Sequence, residues 1–358
     1  MTVAVLEAGA RRALLKWFDA NRRDLPWRPA RPGARRDPYA VWVSEIMLQQ
    51  TRVDTVVPYF TRFMDRFPTV RTLADAPRDE VLAAWSGLGY YRRARLLHDG
   101  ARDVEDHHGG GVPSNPDALA GVPGVGPYTA GAILSLAFGQ PAALVDGNVA
   151  RVFSRWFVLA DGGTKGRALT WELARAHVAV EADPARWNEA LMELGATVCL
   201  PRSPRCGACP VSAHCAARAG GVEELHPRKV PRASVPTERL QALVARLRGR
   251  VLLGRRAEDA RFGGLWEPPV VPAAGGTGAA GRNLSAAVGA PVTALEVAGT
   301  VTHVLTHRRL TARVFRGVVA SRPLRARHPY EKWMWVDVRR LADVGVSTFA
   351  RKLIERAS

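Results

Sequence analysis

The sequence predicts an all-α first part reaching to about residue 219, followed by a smaller α+β module. Three observations carry that prediction. Up to residue 219 the chain is rich in Ala, Leu and Arg and runs in segments of helical period. Four cysteines crowd one short stretch at the end of that part. Beyond a Pro-rich passage the texture changes to β-branched runs bounded by glycine. With 358 residues and 47% of them hydrophobic, the chain can bury a full core and has room for more than one domain. The expected boundaries are a helical domain over 1–219, an exposed linker over 220–236 and a second domain over 237–354.

In chain order, residues 1–18 read as a charged amphipathic stretch rather than a leader. Helical period follows over 41–57, 78–85, 128–138 and 187–194. No apolar run reaches the roughly 18 residues of a membrane-spanning helix. Lys and Arg outnumber Asp and Glu by 51 to 33, a net charge of +18, which attracts phosphate backbones irrespective of sequence. RNA or an anionic membrane surface would answer the same charge, and a generically Arg-rich composition is the plainer reading. The expectation is a cytoplasmic protein, associated with the nucleoid through DNA and acting as a monomer.

The cysteines Cys199, Cys206, Cys209 and Cys215 read C-x6-C-x2-C-x5-C. Their crowding, the tight C-x2-C centre and the enzyme-sized chain favour thiolates in a reducing compartment over disulfides. Zinc is the first alternative, but zinc sites usually present two short knuckles, and here there is one. Four thiolates around a [4Fe-4S] cube suit the spacing better.

Upstream lies Leu119-Ala120-Gly121-Val122-Pro123-Gly124-Val125-Gly126-Pro127-Tyr128-Thr129-Ala130, between two helical segments. Glycines at 124 and 126 permit a tight turn, so that backbone N–H groups of Val122, Gly124, Val125 and Gly126 can approach a phosphate at the start of the next helix. A Gly-rich turn between packed helices needs no ligand, and that is the plainer reading of the same residues. The linker carries Pro227, Arg228, Lys229, Pro231 and Pro236. Strand signals then occupy 240–255 and 301–319, with a loose Gly/Ala loop over 273–281 between them.

A helix-hairpin-helix followed by Leu144-Val145-Asp146-Gly147-Asn148-Val149-Ala150-Arg151 and then by the cysteine loop resembles the endonuclease III superfamily of DNA glycosylases. Asp37-Pro38-Tyr39, the run from Trp42 through Glu45 and Gln50 to Thr51, Leu25-Pro26-Trp27-Arg28 and Gly87-Leu88-Gly89-Tyr90-Tyr91 look like its adenine DNA glycosylase (MutY) branch. The resemblance implies a helix-hairpin-helix glycosylase domain with an iron–sulfur loop, joined to a Nudix-like domain. It also implies a substrate: duplex DNA with adenine opposite 8-oxoguanine or guanine.

Roles follow from the matched positions. Glu45 would protonate adenine at N7, its apolar neighbours Ile46, Met47 and Leu48 raising its pKa. Asp146 would face the sugar C1′ as an anion and stabilise an oxocarbenium-like state. Tyr128 and Asn148 would position Asp146 and the incoming water. Taken alone, Glu45 would be a surface ion-pair partner and Asp146 a helix N-cap. Arg23, Leu25, Trp27, Arg28, Leu48 and Glu189 fall where the family builds its adenine pocket, although Trp27 also suits an ordinary core position. Gln49, Gln50 and Tyr90 would enter the stack and meet the opposite purine.

Where bifunctional relatives carry a Schiff-base lysine this chain has Tyr128, which predicts base removal without strand cleavage. Gly263-Gly264-Leu265-Trp266-Glu267-Pro268-Pro269 carries the Nudix resemblance, but 282–290 holds no acidic residue to bind magnesium, which excludes diphosphate hydrolysis. His303-Val304-Leu305-Thr306-His307 matches the family's Phe-Ser-His recognition loop in part. Thr306 keeps a hydroxyl and His307 its imidazole, while Leu305 replaces the aromatic. The rivals are a glycosylase for thymine or an oxidised pyrimidine, a non-catalytic lesion binder and an electron-transfer protein. The paired carboxylates speak against the second, and the hairpin and basic charge against the third.

Overall fold

The computed structural model describes residues 4–29, 36–159, 163–228, 234–319 and 326–358. Lys229 and Pro231 of the expected linker lie outside these. Packing divides the chain into a first unit, 1–75 with 96–232, and a second, 76–95 with 233–358. No helix among the described residues is long and apolar enough to cross a membrane.

The helices in chain order are α1 (Ala8–Asn21), α2 (Pro38–Leu48), α3 (Val53–Arg66), α4 (Val70–Asp75), α5 (Arg78–Ala84), α6 (Arg92–His108), α7 (Pro116–Gly121), α8 (Pro127–Leu136), α9 (Gly147–Trp156), α10 (Thr164–Val178), α11 (Pro184–Thr197) and α12 (Ala216–Ala219). Within the first unit α2 is its central helix. Asp37 caps it by accepting the Tyr39 N–H, Pro38 fits the first turn, and Tyr39 through Met47 are buried apart from Ala40. A helix apolar nearly all round belongs inside a core, so whatever polar group it carries is buried with it. Glu45 is that group.

One continuous helix over 41–57 was expected, and the chain breaks there instead. α2 stops at Leu48, Gln50 turns left-handed with φ +57°, and α3 starts at Val53. The polar run Gln49-Gln50-Thr51-Arg52 separates the apolar positions Leu48 and Val53, and the break falls on it. The hairpin between α7 and α8 is closed by Val125 N–H donating to the Val122 carbonyl at 3.1 Å. Gly124 has φ +83°, and a Cβ there would meet Leu96 Cβ at 2.8 Å, so both conformation and space require glycine.

The second unit is a seven-stranded mixed sheet of β1 (Thr237–Leu247), β2 (Arg250–Arg256), β3 (Trp266–Glu267), β4 (Val270–Pro272), β5 (Val292–Leu305), β6 (Arg308–Val319) and β7 (Tyr330–Asp337). The order β3-β2-β1-β6-β5 places β1 parallel to β6, with β4 also on β1 and β7 on β2. Two helices, α13 (Thr277–Val288) and α14 (Thr348–Arg356), supply separate cores. Ala280, Leu284 and Val288 pack with Leu243, Leu252 and Phe315, while Phe349, Leu353 and Ile354 pack with Leu240, Val244 and Leu310. The loose loop expected over 273–281 is corrected by α13, which begins at Thr277. Ala280, Leu284 and Val288 recur every fourth residue and bury one stripe, and Gly289 ends the helix in a left-handed cap.

Residues 76–95 belong to this second unit although they precede most of the helical part in sequence. Ser86 Oγ and Tyr91 Oη both donate to the Val346 carbonyl, at 3.0 and 2.9 Å. Arg95 Nη1 donates to the carbonyls of Glu258 and Gly263. These are bonds between residues that sequence distance keeps apart, so no local signal could assign them.

Candidate active site

Four elements of the first unit meet at one cavity of about 520 Å³, a size typical of small-ligand sites. Glu45 comes from α2, Tyr128 from the first turn of α8, Asp146 and Asn148 from the start of α9, and Glu189 from α11. Glu45 is 4% exposed, and Tyr128 Oη donates to its Oε2 at 2.6 Å. Burial pushes the Glu45 carboxyl up to about 7; the Tyr128 hydrogen bond opposes this and the negative charge of Asp146 adds to it.

Asp146 is the N-cap of α9, accepting the Val149 N–H at 2.7 Å with Oδ1 and the Asn148 side-chain amide at 2.9 Å with Oδ2. The cap and the cavity wall are therefore the same residue. Burial is the stronger influence and raises its pKa, while these donors and the Arg151 charge oppose it in favour of the anion. Asn148 is fixed in turn by Arg151, whose Nη2 donates to its Oδ1 at 2.8 Å and to the Gly195 carbonyl at 2.7 Å. A Cβ on Gly195 would meet Asn148 Cβ at 2.5 Å, so a side chain there would displace the residue that orients Asp146. Tyr128 and Asn148 are bonded differently. The Tyr128 hydroxyl bonds Glu45 and makes a 3.5 Å contact with Met192 Sδ, because α8 starts against α2, and Asn148 alone of the two bonds Asp146.

Arg23, Leu25, Trp27, Arg28, Leu48, Gln49 and Gln50 all line the same cavity. Trp27 also meets Phe60 edge-on at 5.3 Å, so it is wall and core at once. Gln49 Nε2 reaches Thr129 Oγ1 at 3.4 Å. Arg28 Nε donates to Glu189 Oε1 at 2.8 Å and its Nη2 to Glu193 Oε2 at 2.9 Å, while Arg23 Nε donates to Glu193 Oε1 at 2.6 Å. Glu193, Arg36 and Met192 were not expected here. Glu193 lies one helical turn beyond Glu189, so the shared face was readable, but its arginine partners were not. Burial pushes the Glu193 carboxyl up, but the bonds and charges of Arg23 and Arg28 outweigh it and hold the group below its ordinary value.

Tyr90, Thr306 and His307 lie in the second unit and none lines this cavity. Thr306 and His307 form the tip of the β5–β6 hairpin, between the paired Leu305 and Arg308. Tyr90 is 47% exposed with φ +49°, and its hydroxyl is 3.5 Å from Thr306 Oγ1. In the hairpin of the first unit, the N–H groups of Val122 and Val125 donate to the carbonyls of Leu119 and Val122. A tight turn thus uses these two inner amides within itself, whereas Gly124 and Gly126 carry the other two amides expected to meet phosphate.

Cys199, Cys206, Cys209 and Cys215 form no disulfide and all line one small cavity with Arg155. Arg155 Nη1 donates to Cys199 Sγ at 3.2 Å. Burial, joined by the three neighbouring thiols, pushes Cys209 up to about 11, a sign that a cation between them would reverse. Among the described residues no group of His, Cys, Asp or Glu is gathered as for a single metal ion. Four soft ligands ringing a shared space suit a polynuclear iron–sulfur group.

Known proteins match this arrangement part by part. The HhH-GPD superfamily of base excision DNA repair proteins matches residues 43–175, the iron–sulfur binding domain of endonuclease III matches 199–215 and the NUDIX domain matches 241–356. The adenine DNA glycosylase of Rattus norvegicus is 37% identical over 408 aligned positions, covering 96% of this chain and 77% of the rat protein. That of Homo sapiens is 50% identical over 219 positions, covering 58% of this chain and 39% of the human protein. Among solved structures, a thermostable thymine-DNA glycosylase has a TM-score of 0.53 at 33% identity, covering 59% of this chain and 95% of that one.

Proposed function

Since the chain belongs to the adenine DNA glycosylase family, we propose that it excises adenine mispaired with 8-oxoguanine or guanine, by hydrolysis alone. The observation that carries this reading is Glu45, a carboxyl buried in the cavity with a pKa near 7 and bonded to Tyr128. Adenine is a poor leaving anion, so its departure needs a proton, and a group that titrates near neutrality holds one where a normal carboxylate does not. Tyr128 occupies Oε2, which leaves Oε1 to carry the proton to N7.

Asp146 takes the other half of the work. Its donors Val149 and Asn148 favour the anion against the effect of burial, which suits it to the positive charge that develops on the sugar. Two carboxylates in different surroundings thus divide acid and electrostatic roles. Tyr128 cannot form an imine, and no lysine lines the cavity among the described residues, which supports a reaction that stops at base removal.

The second unit would inspect the base opposite adenine, with Tyr90 and Thr306 as neighbouring groups and His307 beside them. Phosphate contacts would fall to Gly124 and Gly126 of the hairpin and to the exposed Arg202 and Arg205 of the cysteine loop. Cys199, Cys206, Cys209 and Cys215 hold the [4Fe-4S] cluster, which when bound ties four points of that loop and contributes folding energy.

The test is cleavage of end-labelled duplexes bearing one adenine opposite 8-oxoguanine, guanine or thymine, with a thymine opposite guanine as the competing substrate. Alkali-dependent breaks at A:8-oxoguanine and A:G, absent in Glu45→Gln, are expected. Breaks without alkali would refute the hydrolysis-only reading, and release of thymine instead of adenine would favour the activity named for the structural relative.

A further inference from the structure

The cavity holding Glu45 and Asp146 has a neighbour in the same unit. A second cavity of about 290 Å³ shares Arg36, Leu136 and Glu189 with it. On its far side lie Phe18, Phe138, Asp19 and Asp183, and Asp19 is exposed, so this cavity reaches the surface. Both cavities are lined by Leu136 and by the Arg36–Glu189 ion pair, in which Arg36 Nη1 donates to Glu189 Oε1 at 2.8 Å and Nη2 to Oε2.

Opening between the cavities breaks the two Arg36 bonds but leaves no bare carboxylate behind. Breaking a buried ion pair is expensive when it leaves a bare charge. Here Glu189 is also bonded by Arg28 Nε at 2.8 Å, so its carboxylate stays compensated if Arg36 swings away. Arg28 itself is held by Glu189, Glu193 and the Arg23 carbonyl and is the fixed member.

We propose that the second cavity is an exit subsite that accepts the free purine base after cleavage and passes it to solvent while the DNA stays bound. The proposal rests on the glycosylase reading. An extruded nucleotide enters from the DNA side, so the duplex covers that mouth as long as the sugar remains seated. A detached base behind it leaves through the rear wall or waits for the DNA to depart. The far cavity suits a free purine. Phe138 offers a ring face for stacking, and Asp19, paired with the Arg186 guanidinium, and Asp183, which caps α11 by accepting the Arg186 N–H, keep further lone pairs for an exocyclic amine or ring N–H.

The experiment uses excess full-length protein on bead-anchored duplex carrying radiolabelled adenine opposite 8-oxoguanine. Abasic sites, free adenine in the supernatant and protein on the beads are followed together. Abasic-site formation tests the glycosylase reading, and its absence would sink that reading independently of the exit. In the wild type, free adenine should appear as fast as abasic sites form, with the protein still on the beads. Ala185→Trp and Ala137→Trp fill the far cavity from α11 and from the end of α8. Both should form abasic sites yet slow the appearance of free adenine about tenfold or more, until the protein leaves. Release from either folded variant at the wild-type rate, or wild-type adenine appearing only as protein departs, would overturn the proposal. The two fillings enter from different helices, so a folding defect in one leaves the other to decide.

Discussion

Replacing Glu45 by Gln should stabilise the protein at alkaline pH while removing its activity. The carboxyl is pushed by burial from 4.5 to about 7 in the folded chain. Between those values the folded state holds a proton that the unfolded chain has released, so stability falls as pH rises through the window. Below 4.5 both states are protonated and nothing is lost; above 7 the full penalty is present. Its size is about 3 kcal/mol for a displacement of this extent. Gln has the same shape, carries no charge, and still offers an oxygen to the Tyr128 hydroxyl. The variant should therefore match the wild type near the lower end of the window and exceed it by about 3 kcal/mol above its upper end. For a unit of this size that is roughly 6–12 °C in the melting temperature. Scanning calorimetry of both proteins at about pH 5 and about pH 8 measures it, comparing the same transition because two units need not melt together. A gap that is equal at both pH values, or a wild type more stable at the higher one, refutes the argument that Glu45 is held protonated by burial.

Other perturbations separate the remaining roles. Tyr128→Phe removes a donor that favours the Glu45 anion, so the alkaline fall in single-turnover rate should move up by about one pH unit; a limb that stays put or moves down contradicts the assignment. Asp146→Asn keeps a good helix cap but loses the anion, so circular dichroism and melting should change little while the rate drops about a thousandfold. Glu193→Gln removes the carboxylate shared by Arg23, which is partly exposed, and Arg28, which keeps Glu189, and should cost about 1–2 kcal/mol in urea unfolding, without altering the pH limb set by Glu45. Cys199→Ser should lower bound iron and the visible absorbance of the purified protein, with weaker DNA binding that becomes less salt-dependent as the Arg202 and Arg205 loop loses its anchor.

Much of the site was readable because its signals are short-range. The C-x6-C-x2-C-x5-C spacing, the paired glycines of the hairpin, the Asp-Gly-Asn start of α9 and the apolar run around Glu45 each express a local constraint within about a dozen residues. A turn, a cap or a buried helix face is dictated by neighbours along the chain, and so was the change from helical period to β-branched runs. Reading 41–57 as one helical segment ran over the polar Gln49-Gln50-Thr51-Arg52, where the break lies, and α13 escaped because its glycines hid a stripe of three buried residues.

What joined those pieces came from distance along the chain. Tyr128 meets Glu45 across 83 positions, Arg28 meets Glu189 across 161, and Arg23 meets Glu193 across 170. Which arginine finds which carboxylate depends on how helices cross, and composition says only that both are present. The same holds for residues 76–95, whose fastening to Val346, Glu258 and Gly263 no local pattern encodes. Period and turn chemistry are properties of adjacent residues, whereas burial of a proton on Glu45 and the two-sided pairing of Glu189 are properties of packing, and they exist only once α2, α8 and α11 have come together.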